Sequence, residues 1–152
     1  MLALLLYAGS NCYALDTRGV IEVVHASNLR PLPEAPPAVR GVLNLRRQPV
    51  PVLDLCSLTG GRSCDDSRST RIVLMHYPSP EKPEHVLGFL AERHPKTRNI
   101  EERELRSTGI LVRNAKYLGR VLPDGGQMIQ WLNIEFLIPA ELKDSLFKEA
   151  AL

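Results

Sequence analysis

The sequence predicts an all-β fold, a pair of small barrels followed by a C-terminal helix. Three observations carry that reading: short apolar runs separated by turn residues, a proline-rich connector in the first half, and the return of one pattern in the second half. At 152 residues and 44% hydrophobic content, the chain can bury a real core within one domain or two fused lobes.

LALLLYAG and NCYALDT are two strand-like runs parted by Gly9-Ser10-Asn11, a hairpin signal. From Thr17 to Val24 the apolar residues Val20, Ile21, Val23 and Val24 suit either a short helical turn or a strand, because periodicity does not separate the two over so few residues. Arg30 to Pro37 holds four prolines, which remove backbone donors and force extended or turn geometry, so it reads as a connector. GVLNL and PVPVLDL read as two more strands around a turn at Arg46-Arg47-Gln48, followed by a short helix over Leu55–Leu58 that ends at Gly60-Gly61. Arg62 to Thr70 is polar and reads as an exposed linker or a long loop that closes the first half.

The second half restarts with RIVLMHY, a loop PSPEKPE and a partner strand HVLGFLAE, which repeats the opening of the chain. Leu118-Gly119-Arg120-Val121 then leads to Met128–Ile134 as Arg40-Gly41-Val42 leads to Pro51–Leu55. The expected division is a single domain over 1–152, with a first lobe over about 15–70, a second over about 71–137 and the N-terminal strand completing the barrels. Pro139 ahead of good helix formers, with Leu142, Leu146 and Phe147 at helical spacing, predicts a C-terminal helix over 139–150.

A net charge of +2 gives no field suited to a phosphate backbone. Aromatic residues are 5% and scattered, and Trp131 sits inside the apolar run MIQWL, which favours packing over a stacking platform for bases. A small barrel that binds nucleic acid, or another protein-interaction module, is the rival reading. Leu2–Leu6 is too short to span a bilayer and has no basic start before it, so neither membrane insertion nor a secretory signal is expected. Cys12, Cys56 and Cys64 form no C-x-x-C pair, which points to ordinary thiols in the cytoplasm. His25, His76, His85 and His94 stand alone, and no nucleophile, metal or phosphate motif accompanies them, so no enzyme, cofactor or metal site is expected.

The most informative segment is Pro36 to Leu55, PPAVRGVLNLRRQPVPVLDL. Together with Tyr13-Ala14-Leu15, Val20, Glu22 and Val23 it resembles the CheW family of chemosensory adaptors, and Val86–Phe89, Tyr117-Leu118-Gly119 and Ile129–Leu137 extend the likeness through the second half. The resemblance implies two packed SH3-like barrels of five strands each, with short helices. It implies a non-catalytic adaptor that couples the cytoplasmic tip of a methyl-accepting chemoreceptor to the regulatory domain of a CheA-type histidine kinase, recruited to membrane-bound receptor arrays. By position it places Val20, Glu22 and Arg46 at the receptor groove, and Gly41 and Val42 at the kinase-facing edge.

Three of these residues also have a plainer reading. Arg46 could pair within the chain with Asp54 or Glu22, Val20 could pack in the core, and Gly41 could serve backbone geometry. Three positions depart from the family pattern. Arg47 stands where a turn glycine is usual, Asn133 where an acidic residue is common, and Arg93-His94-Pro95-Lys96 where a valine-rich stretch is expected.

Overall fold

A computed structural model describes residues 1–111 and 118–148. The chain opens with β1 (Leu2–Ala8), β2 (Asn11–Asp16), a 3-10 turn (Thr17–Gly19), β3 (Val20–His25), β4 (Leu29–Arg30), β5 (Val39–Leu45), β6 (Gln48–Asp54) and α1 (Leu55–Gly60). It continues through β7 (Arg71–Tyr77), β8 (His85–Ala91), β9 (Lys96–Asn99), β10 (Arg106–Ser107), β11 (Leu118–Asp124), β12 (Gln127–Leu132), α2 (Ile134–Leu137) and α3 (Ala140–Ser145). The segment that periodicity left open thus holds both alternatives: one 3-10 turn capped by Asp16, then a strand.

The strands form two sheets ordered β3-β7-β8-β6-β5-β4 and β9-β1-β2-β12-β11-β10. Written this way, the sheets match position for position. Each has one parallel pair near its centre, β6 with β8 (Val52↔Gly88) and β12 with β2 (Trp131↔Ala14), and the pairs around it are antiparallel. The repeat seen in the sequence is therefore a repeat of architecture, with hairpin β7–β8 standing in one sheet where β1–β2 stands in the other.

That match corrects the expected lobes. The first sheet runs over residues 20–91, and the second joins residues 2–16 to residues 96–132, so no sheet boundary falls at residue 70. The physical reason is non-local pairing: β8 takes β6 as its parallel neighbour and β7 takes β3, which holds the hairpin after the polar linker in the first sheet. Each sheet also has six strands, because a two-residue edge strand, β4 or β10, is added to the expected five.

The continuous apolar run of β1 follows from burial on both faces. Ala3 and Leu5 point into a cluster enclosed by the second sheet, with Ile100, Leu122 and Ile129. Leu4, Leu6 and Ala8 point the other way, into a larger core that includes Val73, Phe89 and Leu90 of the first sheet. Trp131 packs against the smaller cluster, as expected.

The C-terminal helix is shorter than predicted. It ends at Ser145, because Leu142 and Leu146 are buried and the backbone then turns, with Phe147 at φ 59°, to stack its ring on His85 at 4.0 Å and against Tyr77 at 5.4 Å. Positions 149–150 of the expected helix, and Tyr117 of the family-like stretch, lie outside the described residues. Among the described residues no helix is long and apolar enough to cross a membrane.

Candidate functional site

The segment Pro36–Leu55 folds as the β5–β6 hairpin, closed by the pair Leu45↔Gln48 around a two-residue turn, Arg46-Arg47. Both turn residues have positive φ, 48° and 73°, the left-handed geometry that such a tight turn needs and that Asn-Gly usually supplies. Arg47 thus adopts the conformation of the glycine it replaces. The Asn44 side chain supports the turn by accepting a hydrogen bond from the Arg47 backbone N–H at 2.9 Å.

At this tip Arg46 Nη2 lies 3.1 Å from Glu22 Oε2. The structure so brings together two of the three residues expected at the receptor groove, in the intramolecular pair that was the plainer reading of Arg46. The Arg46 side chain nevertheless stays 74% exposed and Glu22 33%. Most of the five guanidinium donors still face solvent. Val20, the third, is half-buried against the large core and pairs across the ladder with Met75. Beyond it the ladder slips at Ile21, which bulges outward on this edge strand.

Gly41 sits on the same hairpin at φ 146°, where a Cβ would meet the Arg30 carbonyl oxygen at 2.1 Å. Close passage of β4 therefore accounts for the glycine. Val42 next to it is half-buried in an open groove lined by Asn28, Arg30, Asn44, Arg47 and Pro49.

Two buried carboxylates organise the surroundings. Asp54, fully buried at the end of β6, caps α1 by accepting from the Ser57 N–H at 3.0 Å, accepts from the Cys64 N–H at 2.9 Å and pairs with Arg40 Nη1 at 2.8 Å. It does not bind Arg46. In the second sheet Asn133 holds the matching position and caps α2 through the Glu135 N–H at 3.1 Å, a role that either an amide or a carboxylate oxygen fills.

Glu92, just past β8, accepts from Gly9 N–H in the β1–β2 turn, from Asp65 N–H at 2.7 Å, and from Arg62 at 2.8 and 3.1 Å. These donors, Arg62 foremost, hold its carboxyl down to about 2. Glu92 joins the two sheets at one end of their contact. At the other end lies an open cleft of about 390 Å³ between them, lined among others by Leu15, Gly19, Met75, Trp131 and Ile134.

Sequence reasoning missed Glu92 and did not foresee that the 62–70 segment, expected to be exposed, is partly buried. Cys64 and Thr70 are buried, and the segment is tied down by Asp54 and Glu92. The available signal was a lone acid directly after the apolar strand HVLGFLA. The polar stretch Arg93–Lys96 also acquires a place, with Arg93 stacked over the Tyr7 ring at 5.1 Å.

The arrangement matches known proteins in both sequence and shape. The chemotaxis protein CheW of Thermotoga maritima is 27% identical over 125 residues, 82% of this chain and 79% of that protein. The chemotaxis protein CheW of Treponema pallidum is 40% identical over 47 residues, 31% of this chain and 28% of the relative. The scaffolding protein TtCheW from Thermoanaerobacter tengcongensis superposes with a TM-score of 0.75 over 90% of each chain at 21% identity, so its likeness speaks for the fold. A family model for the CheW-like domain matches residues 2–142, nearly the whole chain from β1 into α3, and the chain belongs to that family.

Proposed function

We propose that this protein is a chemotaxis adaptor that works by contact and catalyses no reaction, coupling the cytoplasmic tip of a methyl-accepting chemoreceptor to the regulatory domain of a CheA-type histidine kinase. The observation that carries the reading is the CheW-like match over residues 2–142 combined with the β5–β6 hairpin at the heart of the family-like segment, whose strands are packed into the sheet and whose tip, from Arg46 to Pro49, is exposed. A preformed hairpin loses little conformational freedom on docking, so its side chains meet a partner at low ordering cost.

In this reading Arg46, oriented by Glu22 and largely exposed, offers its donors to a receptor carboxylate or carbonyl. Val20 and Glu22 on the edge strand β3 extend that contact, while Gly41 and Val42 on β5 contribute to the kinase-facing surface. Partner binding of this kind places the protein in the cytoplasm at membrane-bound receptor arrays.

The test is capture on purified receptor tips and on purified kinase regulatory domain, with wild type compared to Arg46→Ala. Binding of the wild type to both and loss of receptor capture in the variant is the expected result. Failure of the wild type to bind either partner, where a standard adaptor binds, overturns the coupling role.

A further inference from the structure

We propose that Cys56 and Cys64 are a reversible dithiol–disulfide pair that pins the segment after α1 to that helix. Cys56 Sγ, Cys64 Sγ and one Asp54 carboxylate oxygen lie within 4.8 Å of one another, all buried. Cys56 sits on the first turn of α1 and Cys64 on the irregular segment between α1 and β7, where Asp54 holds its backbone N–H at 2.9 Å, so the adjustable part is the Cys64 side chain and not its backbone. The Cys64 thiol holds only a weak contact, donating to the Leu90 carbonyl at 3.4 Å, which gives way at small cost.

The third member of the cluster does not turn it into a metal site. The Asp54 carboxylate is already engaged by two backbone N–H groups and by the Arg40 guanidinium at 2.8 Å, a positive charge placed against any incoming cation.

The chemistry is thiol–disulfide exchange with a small disulfide such as oxidised glutathione. Burial raises both thiols above their ordinary value, so exchange needs the Cys64 segment to lift first. The Cys64 thiolate attacks the small disulfide, forming a mixed disulfide and expelling one glutathione thiolate. The Cys56 thiolate then attacks the Cys64 sulfur, forming the intramolecular bond and expelling the second. The two protons lost by the cysteines go to the two glutathione thiolates, and the electron pair given up by the dithiol reduces the reagent. The bond secures a segment whose Arg62 grips Glu92, and so stiffens the joint between the sheets.

The experiment treats the full chain at pH 8 with oxidised glutathione, then reads intact mass, thiol titration and peptide mapping. The expected result is a loss of about 2 Da, a Cys56–Cys64 cross-linked peptide and a single remaining titratable thiol at Cys12, reversed by a reducing thiol. Sub-denaturing urea should speed the reaction several-fold, since opening precedes attack. In Cys56→Ser the mixed disulfide on Cys64 should persist as a gain of about 305 Da. Should that variant fail to fold, mapping of the wild type decides alone. Three unchanged thiols, a stable glutathione adduct on wild-type Cys64, or a cross-link that includes Cys12 would each overturn the proposal.

Discussion

Glu22 on β3 and Arg46 at the β5–β6 turn meet at 3.1 Å, although their strands stand three or more places apart in the order of the first sheet. The sheet must curl for this contact to exist, and the pair bridges its seam. Exposed ion pairs contribute little stability, because water and salt screen them and two long side chains must be ordered.

A double-mutant cycle with Glu22→Gln and Arg46→Ala is accordingly expected to give a coupling energy of about 0.5 kcal/mol in urea denaturation, with capture by partners falling far more than stability. A coupling above about 2 kcal/mol would recast Arg46 as a structural clasp.

Arg47 occupies the left-handed region at φ 73°, which costs a residue with a Cβ about 1 kcal/mol. Arg47→Gly relieves that cost but also loosens the unfolded chain. The net expectation is a gain of about 0.5 kcal/mol, read as a higher urea midpoint at unchanged m-value.

Gly41→Ala places a methyl group where the Arg30 carbonyl oxygen already lies, 2.1 Å from the new carbon. Backbone on both sides must separate, and β4 with its pairs Leu29↔Leu43 and Arg30↔Val42 should detach. A loss of about 3 kcal/mol or more in thermal or urea unfolding is expected, together with fast amide exchange across β4.

Glu92 makes the pH dependence of stability readable. Its carboxyl is held at about 2 in the folded protein against an ordinary 4.5, so the unfolded chain binds the proton more tightly. The stabilisation is therefore complete above about pH 5 and is lost as pH falls toward 2. Glu92→Gln should cost about 2 kcal/mol at pH 7 and progressively less near pH 3, flattening the acid limb of a stability–pH profile measured by denaturant titration.

What could be read from the chain depended on range along it. The hairpins and the helix stop at Gly60-Gly61 are local features, written in neighbouring residues. The repeat was also legible, since β1–β2 and β7–β8 each carry a buried apolar run of at least four residues into matching places. Sheet membership was not, because it rests on β6 choosing β8 and β2 choosing β12 across long stretches of chain, and no local residue announces such a choice. The same holds at the candidate site. Arg46 was found by its motif, while Glu92 was missed because its donors come from two distant places in the sequence, Gly9 from the β1–β2 turn and Arg62 and Asp65 from the segment after α1.

The pairing of β2 with β12 ties residues near one end of the described chain to residues near the other. During synthesis the first sheet has all of its strands as soon as β8 has emerged, whereas the β1–β2 hairpin, apolar on both faces, must wait for strands made much later. Any truncation that removes β12 would leave that hairpin beside a finished first sheet with one greasy face and one open ladder unclaimed, ready to borrow the missing strand from another molecule.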